Sequence, residues 1–194
     1  MKSIGKHLSE KYICKGLIEP QFSDAYTYVF DYMFNFILYN VSLIFIGFIL
    51  NQPLAAVIYI IITGSLRAIS GGYHCKTRIS CFLLSYTVFT LYLFLTAITP
   101  LISTYILLLI YILGWILIIK ISPVAPPNKR FTQVIKQTAK KRTYILFISN
   151  AIFTILSLLL HWNKVLFFND LCLIICVIGL YAGYFSNRRQ PHES

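Results

Sequence analysis

PLAAVIYIIITGSLRAISGGYHCKTRISCFLLSYTVFTLYLFLTAI, residues 53–98, is the stretch from which the rest of the chain can be read. Two apolar runs, about Pro53–Ile69 and Ile79–Ile98, flank a short break holding Gly71, Gly72, His74, Cys75, Lys76 and Arg78. Runs of about 20 apolar residues are long enough to cross a bilayer as helices. Pro53 stands at a first-turn position that proline tolerates. Outward from this pair, a run at Tyr28–Leu50 precedes it and ends at Asn51-Gln52-Pro53. Three more follow: Leu101–Ile121 beyond Thr99-Pro100, Tyr144–Leu160, and a last one from Val165 or Leu171 to Phe185. The expected fold is all-α: a polytopic integral membrane protein with six transmembrane helices. It is read as a single domain over residues 1–194, with the bundle at 26–186.

Composition agrees with many spans rather than one anchor. The chain is 58% hydrophobic and 12% charged, and its mean hydropathy of +0.73 leaves no room for a large soluble domain. A net charge of +11 would suit nucleic acid, but its placement does not. Sixteen of the seventeen Lys and Arg residues fall in the N-terminal segment, in the second and fourth connections or the span ends beside them (Arg67 and Lys120), and in the C-terminal tail; only Lys164 lies elsewhere. By the positive-inside rule those segments are cytoplasmic, which puts both termini inside and leaves no call for a nucleic-acid partner. Anionic membrane lipids or an acidic peptide are the expected counter-charges.

The first 25 residues lack the central apolar run of a signal peptide. They read either as an amphipathic interfacial helix or as a loosely ordered basic leader. In the helical reading Ile4, Leu8 and Ile13 fall near one face and Pro20 ends the helix. Residues 122–143 read as a basic cytoplasmic loop that begins with Pro123, Pro126 and Pro127. Trp162, Phe167 and Phe168 are expected at the outer interface. Gly179 and Gly183 form a small-xxx-small pair on the last span, read as packing within the chain in preference to a dimer contact.

The chemistry concentrates in the central break. Gly71-Gly72 lets the backbone leave the helix. Cys81 then falls in the first turn or two of the next span, where the positive helix end, Lys76 and Arg78 favour a thiolate. His74 is the natural partner as general base. On one straight helix, however, positions seven apart share a face but lie about 10 Å apart along the axis. His74–Thr77 must therefore fold back for the two groups to meet. Each residue also has a plainer reading: Cys81 as packing, His74 as a solvated side chain, Arg67 as a snorkelling anchor. Asp31, in the first turn of the first span, is either a histidine-orienting group or a structural one. Cys172 and Cys176 read as small packing residues. Cys14, Cys75 and Cys81 are expected on the reducing side as thiols. No zinc spacing appears, and the four histidines are scattered, so neither a metal nor an organic cofactor is expected.

The order Arg67, Gly72, His74, Cys81, followed by a proline-then-basic loop in a chain of this size and character, resembles the accessory gene regulator B (AgrB) family. These are membrane cysteine endopeptidases that process precursors of bacterial autoinducing peptides. The resemblance implies Cys81 as nucleophile, His74 as general base, and Arg67 and Gly72 as supporting positions. It implies Lys129 and Arg130 as substrate-binding residues for the acidic C-terminal tail of a small precursor. It further implies a thioester intermediate, cyclisation to a thiolactone or lactone, a site at the cytoplasmic face of the bacterial cell membrane, and a homodimer. One rival is a small membrane transporter or exporter without peptidase chemistry. That reading needs intramembrane charges, of which the spans are short. The other rival is a membrane scaffold with no chemistry.

Overall fold

The structure is a computed structural model that describes residues 4–17, 19–73, 75, 77–98, 103–124 and 132–188. Its helices are α1 (Ile4–Cys14), α2 (Ser23–Ile49), α3 (Pro53–Ser70), α4 (Arg78–Ala97), α5 (Thr104–Ile121), α6 (Gln133–Leu159) and α7 (Asn163–Arg188), with a 3₁₀ turn at Pro20–Phe22. Helices α2 to α7 are each long and apolar enough to cross a membrane, which gives the expected all-α, six-span, multi-pass fold with a short N-terminal helix. The chain divides into two compact units, Met1–Ile46 and Gly47–Ser194.

In the first unit α1 packs on the early turns of α2. Gly5 brings the two backbones together, since a Cβ there would lie 2.7 Å from the Asp31 carboxyl carbon. Its N–H donates to Asp31 Oδ1 at 2.8 Å, the Ser9 hydroxyl donates to the Ser23 carbonyl at 3.1 Å, and Tyr12 stacks on Phe30 at 5.7 Å. Helix α1 buries its Gly5–Ser9 side, where small residues permit the approach, and leaves Ile4 exposed. One expectation is corrected here. The stop signal is Gly16, not Pro20: Gly16 takes φ +69°, and Leu17 N–H donates back to the Tyr12 carbonyl. That is the left-handed closure glycine accepts without strain.

In the second unit α7 is the central helix and packs against α3, α4, α5 and α6. One core cluster joins Leu66 of α3, Trp115 and Ile118 of α5, Val124, and Leu173 and Leu180 of α7. A second is aromatic: Tyr59 of α3 lies 5.0 Å from Phe89 and 4.9 Å from Tyr92 of α4, ring centre to ring centre. Tyr92 also donates its hydroxyl to the Ala55 carbonyl at 3.0 Å, which satisfies the one polar atom that burying it introduces. Cys172 and Cys176 are buried in α7, as their spacing in an apolar run suggested. Outward-facing Leu91, Phe94, Ile106, Leu109, Ile112 and Ile116 are exposed, as a lipid-facing surface requires.

Local signals set the helix ends. Asn51 (φ 56°) and Pro53 close the α2–α3 turn, and His161 (φ 55°) closes the α6–α7 turn. Thr77 and Thr132 cap α4 and α6 by accepting the N–H of Ser80 and of Ile135. The basic segment 122–143 is thus not a loop throughout. Helix α6 starts at Gln133, so Lys136, Lys140, Lys141 and Arg142 lie exposed on its first turns, ahead of the apolar run. The last helix begins at Asn163, which puts Asn169 and Asp170 inside it instead of at its edge.

Candidate active site

The break after α3 is a short extended segment held by other elements. Gly71, at φ +76°, makes an isolated parallel bridge with Val124, and Val124 N–H donates to the Ser70 carbonyl at 2.9 Å. A Cβ on Gly71 would stand 2.2 Å from the Val124 carbonyl oxygen, which only glycine avoids. Ser122 and Pro123 precede this bridge through a cis peptide, and the Ser122 and Thr143 hydroxyls meet at 3.2 Å. The next two residues rest on α7. Tyr73 N–H donates to the Gly179 carbonyl at 3.0 Å. A Cβ on Gly183 would lie 2.6 Å from the Gly72 carbonyl carbon and 2.9 Å from Tyr73 N. The glycine pair on the last span therefore serves packing within the chain, against an extended segment and not a second helix.

Arg67 spans the break. It sits in the last turn of α3, where its carbonyl accepts the Gly71 N–H and its Nη2 donates to the Tyr73 carbonyl at 3.2 Å. Two of the predicted supporting positions, Arg67 and Gly72, thus both act on the backbone just before residue 74. His74 itself, with Lys76, lies outside the described residues, as do Lys129 and Arg130.

Cys81 lies in the first turn of α4, half-buried, four residues after the cap. Its own N–H donates to the Thr77 carbonyl at 3.2 Å, and the Ser80 N–H is taken by Thr77 Oγ1. The first-turn donors without an intrahelical acceptor are therefore those of Arg78 and Ile79. Reading the sequence missed a neighbour of Cys81, the Cys75 thiol, which lies near enough to interact with it electrostatically. Removal from water is the largest influence on Cys75. It pushes that thiol above the ordinary cysteine range, the adjacent Cys81 sulfur adds to the effect, and Arg67 opposes it. A thiol pushed up in this way is a poorer nucleophile than an ordinary cysteine. Asp31 belongs to the first unit, where one oxygen of its carboxylate receives Gly5 N–H at the start of α1. Because α2 begins at Ser23, Asp31 lies more than two turns into it and not in its first turn as expected; the helix N-terminus it faces is that of α1.

Gly71, Gly72 and Tyr73 are thus held by Val124 and α7, a few residues before a capped helix whose first turn carries Cys81. Comparisons with curated proteins and with solved structures gave no match. The family model for accessory gene regulator B matches residues 2–185 and so runs through the strap, Cys81, the basic segment and the glycine pair of α7. Members of that family act on the AgrD precursor peptide in making the agr autoinducing signal of quorum sensing. On the strength of a match over nearly its whole length, the chain belongs to the accessory gene regulator B family.

Proposed function

We propose that this protein is a membrane cysteine endopeptidase that removes the C-terminal tail of an AgrD-like precursor and closes the remaining peptide into a ring. Cys81 Sγ attacks the carbonyl at the tail junction while His74 accepts the thiol proton. The C–N bond breaks, His74 returns the proton to the leaving amine, and the peptide remains as a thioester on Cys81. A cysteine or serine of the bound peptide then attacks that thioester, giving a thiolactone or lactone and freeing Cys81. The Arg78 and Ile79 N–H groups are the donors available to the developing oxyanion. Arg67 and Gly72 set the path of the backbone into His74, and Asp31 is assigned a supporting role. Lys129 and Arg130 attract the acidic tail, with the exposed cations of α6 extending the same field along the membrane surface and toward anionic lipids. Both termini and the site lie on the cytoplasmic side, as the charge distribution implies, and the protein works as a homodimer without a metal or cofactor.

The observation that carries this reading is the strap itself: Gly72 and Tyr73, seated on Gly179 and Gly183, lead within eight residues to Cys81. The direct test is mass spectrometry of the full-length protein incubated with precursor. Wild type should carry the truncated peptide on Cys81 as a thioester. Cys81→Ala should carry none, and His74→Ala should form it about 10²–10⁴-fold more slowly. An adduct on Cys75, or normal processing by Cys81→Ala, would overturn the assignment.

A further inference from the structure

Asp170 occupies a place in α7 that the peptidase reading does not use. It lies seven residues into the helix, about 10 Å along its axis, within the membrane-crossing segment Asn163–Ser186, and is 3% exposed. Asn169, the residue before it, belongs to a bonded chain across three helices. Trp115 Nε1 donates to Asn150 Oδ1 at 3.1 Å, Asn150 Nδ2 to Asn169 Oδ1 at 2.9 Å, and Asn169 Nδ2 to Thr154 Oγ1 at 3.4 Å. The Thr154 hydroxyl in turn donates to the Asn150 carbonyl at 2.9 Å. Buried beside this chain, Asp170 Oδ2 has no hydrogen-bond partner among the described residues, and the Tyr111 hydroxyl, with Thr154 and Trp115 near it, makes no bond of ordinary geometry. The two side chains are near enough to interact electrostatically.

An asparagine would fill the volume of Asp170 and pair as the adjacent amides do. What a carboxylate adds is the capacity to bind a cation, and ionisable groups inside a membrane bundle mark sites of that kind. The titratable groups that interact with Asp170 are Tyr111 of α5 and Cys172 of α7 itself, with Tyr92 of α4 next to Cys172 and Tyr59 of α3 next to Tyr92, while α6 supplies Asn150 and Thr154. No cationic side chain among the described residues is paired with Asp170, and none of them form a group of three His, Cys, Asp or Glu side chains able to hold a metal ion. A single carboxylate suits one positive charge. A separate cleft of about 400 Å³, lined in part by Gln52, Thr96, Lys164 and Phe168, opens beside the first turns of α7 and does not include Asp170 among its described lining. Lys164 is the one charged group on that lining.

We propose that Asp170, with the Tyr111 hydroxyl, forms an intramembrane site for a small monovalent cation, either a hydron or a sodium ion. The site is independent of the peptidase reading, and its test does not use processing. Full-length protein in lipid nanodiscs is melted across a pH series in choline chloride and again in sodium chloride at equal ionic strength. If the cation is a hydron, the wild-type Tm falls as pH rises while that of Asp170→Asn stays level. If it is sodium, sodium raises the wild-type Tm over choline and leaves Asp170→Asn unmoved. Tyr111→Phe should weaken whichever response is seen. Equal responses in wild type and Asp170→Asn would overturn the proposal. Should that variant fail to fold, infrared spectroscopy of the wild type decides. A buried carboxyl band that changes with pH or sodium supports the site, and its absence refutes it.

Discussion

Two connections between successive spanning helices can be set side by side. The α2–α3 turn closes on itself: Asn51 N–H donates to the Phe48 carbonyl, Gln52 N–H to Gly47, and Ala56 N–H to Gln52. The α3–α4 connection does the opposite. Apart from the Gly71 N–H bond back to Arg67, the backbone bonds and closest approaches of its described residues go to α7 and to the segment after α5, through Tyr73 with Gly179, Gly71 with Val124, and Gly72 with Gly183. The first turn would keep its shape almost anywhere. The second exists only because the rest of the bundle holds it, and that dependence separates a positioned segment from a linker.

The sharpest way to break this contrast is Gly183→Ala. The new Cβ would meet backbone atoms of Gly72 and Tyr73, so the strap must shift. A displacement of about 1 Å near reacting groups costs on the order of 10²-fold in rate, so precursor cleavage should fall by that much with the amount of membrane-inserted protein unchanged. Full cleavage would show that the seat does not matter.

Arg67→Ala removes the charged bond to the Tyr73 carbonyl. Bonds from charged groups contribute about 1.5–3 kcal/mol, so a tenfold or greater loss of kcat is expected, with Arg67→Lys recovering part of it and KM little altered. Steady-state kinetics on a synthetic precursor decides between this and a topology role, which would move the inserted fraction instead.

Alkylation of Cys75 gives a smaller, directional effect. Its thiol sits above the ordinary range partly because of Cys81. In Cys81→Ser the pH midpoint for its alkylation should therefore move down toward the ordinary value, while loss of water contact keeps it from returning fully. An unmoved midpoint would mean that the two thiols do not interact. On the other side of the contrast, Asn51→Gly at the self-closed turn should leave processing intact and change stability by no more than about 0.5 kcal/mol.

Much of this molecule could be read in its residues because bilayer physics leaves few choices. Six apolar runs, the Pro53 start, the Gly71-Gly72 break and the buried Cys172 and Cys176 all follow from hydropathy and local backbone preference. The misses share one cause. Gly16 rather than Pro20 stops α1, and Thr132 starts α6 inside what reads as a loop, because capping acts one residue at a time and leaves little trace in hydropathy. The bridge from Gly71 to Val124, the approach of Cys75 to Cys81, and Asp170 among amides from α6 and α7 join positions that no local period connects. His74, Lys129 and Arg130 lie outside the described residues, so their roles rest on pattern and family alone.

The glycines that hold the strap belong to α7, which follows α3 and α4 in the chain and therefore leaves the ribosome after them. During synthesis the cysteine at position 81 is made and inserted long before its support exists, and only completion of α7 brings Gly179 and Gly183 beneath Gly72 and Tyr73. A nascent chain thus has the sulfur without the geometry. Biogenesis itself withholds the seated strap from the membrane until α7 has been built.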